Sequence, residues 1–249
     1  MTTLDVSSPP ESRSTLPTGE EKRSFVQQLF TDIAPRYDWF NRLASFGLDQ
    51  AWRRAALRRG EVGAGQRVLD VCAGTGDLAL LCASRRPAAG AVVGIDMNGA
   101  MLGLARRKQH ARGLMAGWVR GDAEALPFPG GTFDRVVVGF STRNLSDLTR
   151  GLAEMVRVLR PGGRLVILET GYPSNRLLRA AYQLFLFTIA RTIGFLLTGR
   201  SWPFTYLARS VRGFLTPRQM AERLQSLQTQ VEYVPLSCGL ASLFLATKA

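Results

Sequence analysis

The sequence predicts an α/β protein whose core is a doubly wound, mostly parallel sheet of seven strands. Short apolar runs alternate with segments of helical periodicity from residue 67 to residue 247, a pattern typical of a parallel sheet with helices on both faces. Residues 67–80 add a second observation, because an apolar strand there leads through an acid and a glycine turn directly into a helix. Acids also follow three of the predicted strands, which predicts a ligand site along one edge of the sheet.

The glycine turn is the most informative stretch of the chain. Residues 68–71 form an apolar run typical of a buried strand, and Gly74 and Gly76 let the backbone turn sharply and approach a ligand without Cβ interference. The spacing Gly74-x-Gly76-x-x-Ala79 also satisfies the pattern of dinucleotide-binding loops, and Asp96 follows about 20 residues later. A nucleotide-like ligand is therefore expected, and an NAD-dependent oxidoreductase is one candidate.

The remaining elements follow the glycine turn in strict alternation. Predicted strands cover 91–95, 117–120, 133–139, 164–169, 230–235 and 241–247, and predicted helices cover 78–84, 100–112, 148–159 and 216–227. The Arg-Pro-Gly-Gly run at 160–163 predicts a turn before the fifth strand. The last strand is antiparallel if a hairpin joins it to the sixth.

The chain is expected to form a single domain with accessory helical caps. Residues 1–21 are rich in Ser, Thr, Pro and Glu and predict a flexible tail, because they cannot offset the entropy of ordering. Residues 22–249 form the domain, with an N-terminal helical cap over 22–60 and a second helical cap, with a surface that could face a membrane, over 172–215.

The second cap contains a strongly apolar segment, residues 175–199. Arg179, Gln183 and Arg191 interrupt it, so no run approaches the about 20 apolar residues that a membrane-spanning helix needs. The segment is therefore expected to be either a buried lid over the ligand site or an amphipathic element in a membrane interface.

The chain is strongly basic, with a formal net charge of +13 from 32 basic and 19 acidic residues. Only three of the basic residues are lysines, so the arginine excess is equally consistent with a GC-rich genome. If the excess of basic residues serves a function, it would suit binding to an anionic membrane surface, nucleic acid or an acidic ligand. Because no basic platform with stacking aromatic residues is evident, we expect no nucleic-acid partner.

Cysteine usage and the N-terminus predict a cytoplasmic protein. Cys72, Cys82 and Cys238 are odd in number and have no paired metal-ligand spacing, which favours reduced thiols and predicts no metal site. The N-terminus has no basic start followed by an apolar run, so we expect no secretory signal. The sequence leaves the oligomeric state open, and a homodimer is compatible with it.

A second group of candidate residues precedes the glycine turn. Tyr37 and Asp38 begin an aromatic-rich stretch that continues to Trp52 and includes Asn41 and Asp49. A phenol, carboxylates and an amide among aromatic side chains suit the lining of a pocket. The alternative interpretation is that this stretch only fixes an N-terminal helix to the core.

The acids discriminate between two kinds of nucleotide-like ligand. Asp70, Asp96 and Asp122 lie at the ends of three successive predicted strands. Carboxylates attract a sulfonium nucleoside and repel a pyrophosphate, so they favour the former over NAD. The single histidine, His110, lies in a charged helix, and the sequence has no Tyr-x-x-x-Lys pair, so hydride transfer has few candidate proton donors.

These residues resemble the class I methyltransferases that use S-adenosyl-L-methionine. The resemblance rests on motifs at 70–76, 94–96, 121–123 and 159–163. It implies S-adenosyl-L-methionine as the cofactor, with its ribose at Asp96 and its adenine at Asp122 and the Ala123 amide. The implied cofactor-binding residues are Asp70, Gly74, Thr75, Gly76, Asp96, Met97, Asp122 and Ala123.

From about residue 30 to the C-terminus, the chain is further similar to the bacterial ubiquinone and menaquinone C-methyltransferases. This similarity rests on Tyr37-Asp38, Asn41, Ser45, Gly47 and Trp52, on 122–128, on Arg143-Asn144 and on 157–169. Asp49 stands where that family often has His, a form compatible with its menaquinone branch. Gly139 replaces a serine of the family pattern, so no serine contact with the cofactor is expected there.

The resemblance implies C-methylation of a polyprenylated quinol, most directly demethylmenaquinol. The quinol must lose its hydroxyl proton, fully or in part, before the adjacent ring carbon attacks the methyl group. Tyr37, Asp38 and Asp49 are the candidate bases for this proton or for the proton displaced from the ring, whereas Arg143 would stabilise a phenolate and Asn144 would orient it. The alternative for Arg143 is a structural ion pair.

A polyprenylated substrate resides in the bilayer, so the basic charge and the 175–199 segment predict peripheral contact with an anionic membrane at the inner face of the cytoplasmic membrane. Several other functions stay open. They are C-methylation in ubiquinone biosynthesis, methylation of another small molecule or of RNA, and noncatalytic binding of S-adenosyl-L-methionine.

Overall fold

The computed structural model describes residues 16–85, 90–171 and 173–249. Most of the predicted N-terminal tail lies outside this part of the chain. Its last residues belong to the first helix, α1 (Gly19–Ile33), which ends two residues before Pro35. The predicted boundary between tail and domain, after residue 21, therefore lies inside α1.

The sheet has seven strands in the order β3-β2-β1-β4-β5-β7-β6, which confirms the predicted fold class. Neighbours among the first five strands pair in parallel, and β7 is antiparallel to both β5 and β6. The strands are β1 (Arg67–Val71), β2 (Ala91–Asp96), β3 (Gly117–Arg120), β4 (Phe133–Gly139), β5 (Leu159–Thr170), β6 (Thr229–Leu236) and β7 (Ala241–Lys248).

Nine further α-helices follow α1 among the described residues. Several begin with a polar side chain that accepts hydrogen bonds from the first turn, as Asn98, Asp147 and Thr216 do. The helices are α2 (Tyr37–Ala44), α3 (Leu48–Arg59), α4 (Asp77–Ser84), α5 (Gly99–Ala111), α6 (Leu148–Arg157), α7 (Arg176–Phe185), α8 (Arg191–Thr198), α9 (Trp202–Arg212) and α10 (Pro217–Gln225).

The predicted turn at 160–163 is an irregularity within strand β5. Leu159 pairs with Phe133 and Arg164 with Arg135, and the register shifts between these two pairs. Gly162 has a φ of +70°, which lets the strand bulge and resume its pairing. The predicted strand start at residue 164 was therefore wrong, because the glycines bend the strand without ending it.

Apolar side chains cover both faces of the sheet. Strand β1 shows the alternation, because Leu69 and Val71 belong to one buried cluster and Val68 to the other. Leu152 of α6 joins the first cluster and Leu57 of α3 joins the second. This burial on two sides explains why the central strands read as continuous apolar runs.

The second predicted cap and the first two helices of the N-terminal cap form one helical layer, whereas α3 packs on the sheet. Helices α1 and α2 share a third apolar cluster with α7, α9 and the turn that follows α7. Its buried members are Val26, Leu29, Ile33, Phe40, Leu186, Ala190, Phe204, Tyr206 and Ala208. The layer lies over the carboxyl ends of the central strands, where the predicted ligand-binding acids are located.

The apolar segment of the second cap forms a continuous helical run of 23 residues, Arg176–Thr198, in which a π-helical turn joins α7 to α8. By length and composition alone, this run is long and apolar enough to cross a membrane. Its polar residues are few and widely spaced, so composition alone does not exclude a span.

The packing of this run distinguishes it from a core helix. Only 17% of its most apolar window is buried, so it is not a core helix. Its buried residues, Leu186, Ala190 and Gly194, follow at intervals of four and form one inward face. The helix therefore lies along the protein, with its opposite side exposed.

Gly194 provides the first testable prediction, because a Cβ there would lie 2.1 Å from Cδ2 of Phe204 in α9. We expect Gly194→Ala to lower the free energy of unfolding by about 1–3 kcal/mol, since α8 must move away from α9. Gly103→Ala in α5 is the matched control. An added Cβ there meets nothing within 4 Å, and the change should stabilise the protein by about 0.4–1 kcal/mol. Urea denaturation measures both, and equal effects would contradict the close α8–α9 contact.

Candidate functional site

A cleft opens where the carboxyl ends of the central strands meet the helical cap. Its empty volume is about 990 Å³ including solvent at its mouth, a size suited to a small-molecule ligand. We call it the cofactor cleft. It contains every predicted cofactor-binding residue except Gly76, namely Asp70, Gly74, Thr75, Asp96, Met97, Asp122 and Ala123.

Asp96 organises the wall of the cofactor cleft. Its two carboxylate oxygens accept hydrogen bonds from the backbone N–H groups of Gly74 and Asn98, each at 2.8 Å. Burial raises the pKa of Asp96 above its ordinary value, and these two donors oppose the shift. One side chain thus holds the glycine loop against the beginning of α5.

Asp70 lies deeper in the same wall and is 1% exposed. Its Oδ2 accepts a hydrogen bond of 2.9 Å from the Ala79 N–H, which joins β1 to α4. Burial raises the pKa of Asp70 to about 8, with the Ala79 amide opposing the shift and the charge of Asp96 adding to it. A cation in the cleft would favour the ionised form of this carboxyl.

The two loop glycines have different roles. Gly74 and Gly76 both have positive φ, at +55° and +82°. A Cβ on Gly74 would meet nothing within 4 Å, so this glycine leaves room at the cofactor cleft. A Cβ on Gly76 would lie 2.5 Å from the Trp118 ring and 2.9 Å from the Ala105 side chain. Gly76 was predicted as a cofactor contact, but the structure gives it a packing role.

Helix α1 forms the wall of the cleft that the sequence motifs did not indicate. Arg23 Nη2 lies 2.9 Å from the Asp122 carboxylate and 3.0 Å from that of Glu124. Lys22 Nζ donates to the Leu145 carbonyl at 2.6 Å. In a chain this rich in arginine, no sequence signal distinguishes Arg23 from the others. Asp122 therefore already has a cationic partner in addition to any adenine contact.

A second cavity, which we call the apolar pocket, lies among the cap helices and the segment after β4. Its empty volume is about 1380 Å³, and aromatic and aliphatic side chains form most of its lining. The two cavities share Phe30, Tyr37, Arg53 and Asn144. A ligand in one cavity can therefore approach a ligand in the other at these side chains.

Arg143 and Asn144 lie side by side on a short 3₁₀ turn and line the apolar pocket. Arg143 Nη1 forms a buried ion pair of 2.5 Å with Glu169, so the predicted alternative of an ion pair is present. Burial alone would lower the pKa of Arg143, but Glu169 and Tyr37 outweigh it and leave the pKa raised. The side chain therefore stays cationic.

Two donors on this turn are buried and have no partner among the described residues. They are Nε of Arg143 and Nδ2 of Asn144. The Asn144 amide is oriented from its other end, because Tyr206 donates to Asn144 Oδ1 at 3.2 Å. An unsatisfied buried donor is costly, so this pair is a polar and energetically unfavourable part of the pocket wall.

Tyr37 and Asp49 both line the apolar pocket. Burial raises the pKa of Tyr37 above its ordinary value, with Asn41 and Arg53 opposing the shift, so the phenol keeps its proton. Tyr37 is therefore a hydrogen-bond donor at neutral pH. The Asp49 carboxylate is paired with Arg53 Nη1 at 2.5 Å and accepts from the Ser45 hydroxyl at 3.1 Å.

Asp38, the third predicted base, lines neither cavity. Its carboxylate accepts from Thr75 Oγ1 at 2.6 Å and pairs with Lys108 Nζ at 2.8 Å. Lys108 also pairs with Asp77 at 2.6 Å. Burial would raise the pKa of Asp77, but Lys108 and Arg53 outweigh it and lower the pKa. Asp38 thus joins α2 to the glycine loop and to α5.

The residues of the cofactor cleft fit a cationic nucleoside. Gly74 leaves open space in it. Five carboxyl groups line it, those of Asp70, Asp77, Asp96, Asp122 and Glu124. The acids favour a sulfonium or ammonium group and disfavour a pyrophosphate. S-adenosyl-L-methionine, the cofactor that the resemblance implies, matches this set.

The raised pKa of Asp70 predicts that cofactor binding releases a proton. The folded pKa of about 8 exceeds the unfolded value of 3.8, so this carboxyl weakens folding stability as pH rises from about 4 to about 8. A cationic ligand favours the ionised carboxylate, so we expect affinity for S-adenosyl-L-methionine to increase with pH through about 8. Calorimetry in buffers of different ionisation enthalpy measures the released protons. Asp70→Asn is the control, and an unchanged proton count in it would contradict the assignment.

The two loop glycines predict separable effects. Gly74→Ala should weaken the binding of S-adenosyl-L-methionine at least tenfold, because its methyl group enters the cleft. Gly76→Ala should lower the free energy of unfolding by about 1–3 kcal/mol, because its methyl group collides with Trp118. Both variants also carry the strain of alanine at positive φ. Calorimetry and urea denaturation of the pair distinguish the two roles, and identical profiles would refute them.

Comparison with known proteins agrees with this geometry. The model of the ubiE/COQ5 methyltransferase family matches residues 17–248. The demethylmenaquinone methyltransferase of Deinococcus radiodurans is 40% identical over 96% of this chain and 98% of its own. The demethylmenaquinone methyltransferase of Thermus thermophilus is 41% identical over 88% of this chain and 100% of its own. The ubiquinone/menaquinone biosynthesis C-methyltransferase UbiE of Geobacter sulfurreducens is 41% identical over 83% of this chain and 81% of its own.

Solved structures share the fold at lower identity. The [4+2]-cyclase SpnF superposes with a TM-score of 0.65 at 18% identity, over 95% of this chain and 99% of its own. A putative S-adenosyl-L-methionine-dependent methyltransferase from Methanococcus maripaludis has a TM-score of 0.63 at 17% identity, over 88% and 93%. These likenesses concern the fold, whereas the family match covers nearly the whole chain. The chain belongs to the ubiE/COQ5 methyltransferase family, and its cofactor is S-adenosyl-L-methionine.

Proposed function

We propose that this protein methylates a ring carbon of a polyprenylated quinol, most directly demethylmenaquinol in menaquinone biosynthesis. The observation that carries the proposal is the meeting of the cofactor cleft and the apolar pocket at Tyr37, Arg53 and Asn144. The apolar pocket suits a quinol ring and the adjoining isoprenoid units, because apolar side chains dominate its lining and a few polar groups can orient the hydroxyls.

The relatives support the quinol and favour the menaquinone branch. Two of them at about 40% identity are named demethylmenaquinone methyltransferase, and others are named for both quinones. Asp49 also supports the menaquinone branch, because the family often has His at this position. C-methylation in ubiquinone biosynthesis is the second candidate, because relatives named for both pathways are equally similar.

Arg143 and Asn144 on the 3₁₀ turn would make the quinol ring carbon more nucleophilic. When bound, S-adenosyl-L-methionine supplies an electrophilic methyl group. The unpartnered donors of Arg143 and Asn144 would hydrogen-bond the quinol oxygen and stabilise its phenolate charge. The Arg143–Glu169 ion pair and the Tyr206–Asn144 hydrogen bond hold these donors in place before the substrate arrives. Such preorganisation avoids rearrangement during the reaction.

Asp49 is the base that the geometry favours for the one proton that the reaction releases, taken either from the quinol hydroxyl or, after methylation, from the ring carbon, whose loss of a proton restores the aromatic ring. It lines the apolar pocket, whereas Asp38 lines neither cavity and the Tyr37 phenol keeps its proton. Arg53 and Ser45 fix the Asp49 carboxylate. The walls of the two cavities would hold the reactants together, and orientation of this kind can supply roughly 7–11 kcal/mol of a barrier.

Asn144 offers a direct test of the phenolate site. We expect Asn144→Ala to lower kcat about 10²-fold with demethylmenaquinol, because one donor to the developing oxyanion is lost. Tyr206→Phe should cause a smaller loss, since the amide remains but is no longer held by the phenol. Calorimetric affinity for S-adenosyl-L-methionine should stay near the wild-type value in Tyr206→Phe, because Tyr206 lines the apolar pocket and not the cofactor cleft. A full kcat in Asn144→Ala would remove this residue from the mechanism.

The substrate itself is tested by methyl transfer into extracted lipid quinones. Purified protein with radiolabelled S-adenosyl-L-methionine should label demethylmenaquinol supplied in detergent. Label confined to a ubiquinone precursor would move the protein to the other branch. Label only in RNA, or cofactor binding without transfer to any acceptor, would overturn the proposal.

A further inference from the structure

The exposed large apolar side chains of the described residues are concentrated in two segments. Ten such side chains are exposed, and Met115 alone lies elsewhere. A contiguous group of this kind marks an interaction surface, whereas isolated exposed apolar residues are ordinary. We call the other nine the apolar face, which consists of Trp39, Leu43, Phe46, Leu48, Leu177, Leu184, Ile189, Phe195 and Leu196.

The two segments are neighbours at the mouth of the apolar pocket. The Phe46 and Phe185 rings lie 5.9 Å apart, and α2 packs against α8. Phe46 is 78% exposed and still lines the apolar pocket, as Leu48 does on the same side and Leu178 and Phe185 on the other. The apolar face therefore adjoins the entrance through which a hydrophobic substrate would pass.

The segment that carries one side of the apolar face has only basic charges in its sequence, and one of them, Arg200, pairs with Asp32 of α1. Between residues 171 and 221 the chain contains seven arginines and no acidic residue. Arg176 and Arg191 are exposed on the helices of the apolar face, and Arg36 and Arg42 are exposed beside its other segment. A second copy of this chain would present the same charge and be repelled. Anionic headgroups above acyl chains are complementary to both features.

The orientation of the Arg176–Thr198 run suits a surface rather than a span. Leu186, Ala190 and Gly194 face the protein, and Gly194 is in close contact with Phe204. Leu177, Leu184 and Leu196 are 82%, 64% and 77% exposed on the other side. Insertion across a bilayer would require the loss of this packing, whereas a helix lying in the interface keeps it.

We propose that the apolar face docks on an anionic lipid bilayer and that the lipid quinol enters the apolar pocket directly from the membrane. The purpose of this docking rests on the proposed function, because a polyprenylated substrate resides in the bilayer. The exposed apolar side chains enter the acyl region, and the surrounding arginines contact the headgroups. The cofactor cleft stays accessible to water-soluble S-adenosyl-L-methionine.

Vesicle cosedimentation tests the surface independently of the reaction. The full chain should bind vesicles of phosphatidylcholine and phosphatidylglycerol much more tightly than vesicles of phosphatidylcholine alone, and high salt should weaken this binding. L177S/L184S/L196S should reduce the binding at least tenfold, whereas Met115→Ser, at a side chain 84% exposed elsewhere, should not change it. R176Q/R191Q should reduce it by about fivefold for each arginine, and Arg107→Gln in α5 is the control.

Two further measurements separate this surface from the catalytic proposal. Calorimetric affinity for S-adenosyl-L-methionine should be unchanged in L177S/L184S/L196S, which shows that the variant is folded. This variant should methylate a short-chain quinol in solution normally and long-chain demethylmenaquinol in vesicles poorly.

Absence of vesicle binding by the wild-type chain would overturn the docking surface, as would equal binding by L177S/L184S/L196S. A dimer in solution that the same substitutions abolish, without vesicle binding, would assign the apolar face to a second copy. Methylation of no quinol, together with vesicle binding that these substitutions abolish, would reject the proposed function and retain the surface.

Discussion

The structure depends on the burial of carboxyl groups at the carboxyl edge of the sheet. Asp70 and Asp96 are removed from water and have raised pKa values, so backbone N–H donors must hold them. Ala79, Gly74 and Asn98 supply those donors, and in doing so they fix where α4, the glycine loop and α5 begin. The same carboxyl groups line the cofactor cleft, where their negative charge attracts a cation. One constraint therefore organises both the local fold and the cofactor cleft.

The helical layer completes a site that the sheet alone would leave open. Arg23 connects α1 to Asp122, and Lys108 connects α5 to α2 through Asp38. Because α1 and α2 also line the apolar pocket, these ion pairs place the two cavities against each other. Asp38 therefore has a structural role between the two cavities, although its position beside Tyr37 had made it a candidate base.

The apolar pocket combines an apolar lining with a few buried polar groups, and these groups lower the stability of the protein while the pocket holds no ligand. Arg143 and Asn144 each have one buried donor without a partner in the part of the chain that the structure describes, and the Arg143–Glu169 ion pair keeps Arg143 oriented. Such unsatisfied donors lower the stability of the protein, a cost that the proposed role in substrate binding would explain. Apolar side chains continue from this pocket to the exposed face of the Arg176–Thr198 run. A continuous apolar path of this kind suits a substrate with a ring at one end and a long lipid tail.

The sequence by itself determined the order of the strands and helices, the glycine loop and the three strand-end acids, because these features are local in the chain. It could not determine the bulge in β5 or the packing role of Gly76, which depend on Phe133 and Trp118 from other strands. Only the tertiary structure shows the ion pairs of Arg23 with Asp122 and of Asp38 with Lys108. It alone also shows that helices of both caps pack in one layer. The physical reason is that ion pairs and packing between distant segments leave no periodic signal in the sequence.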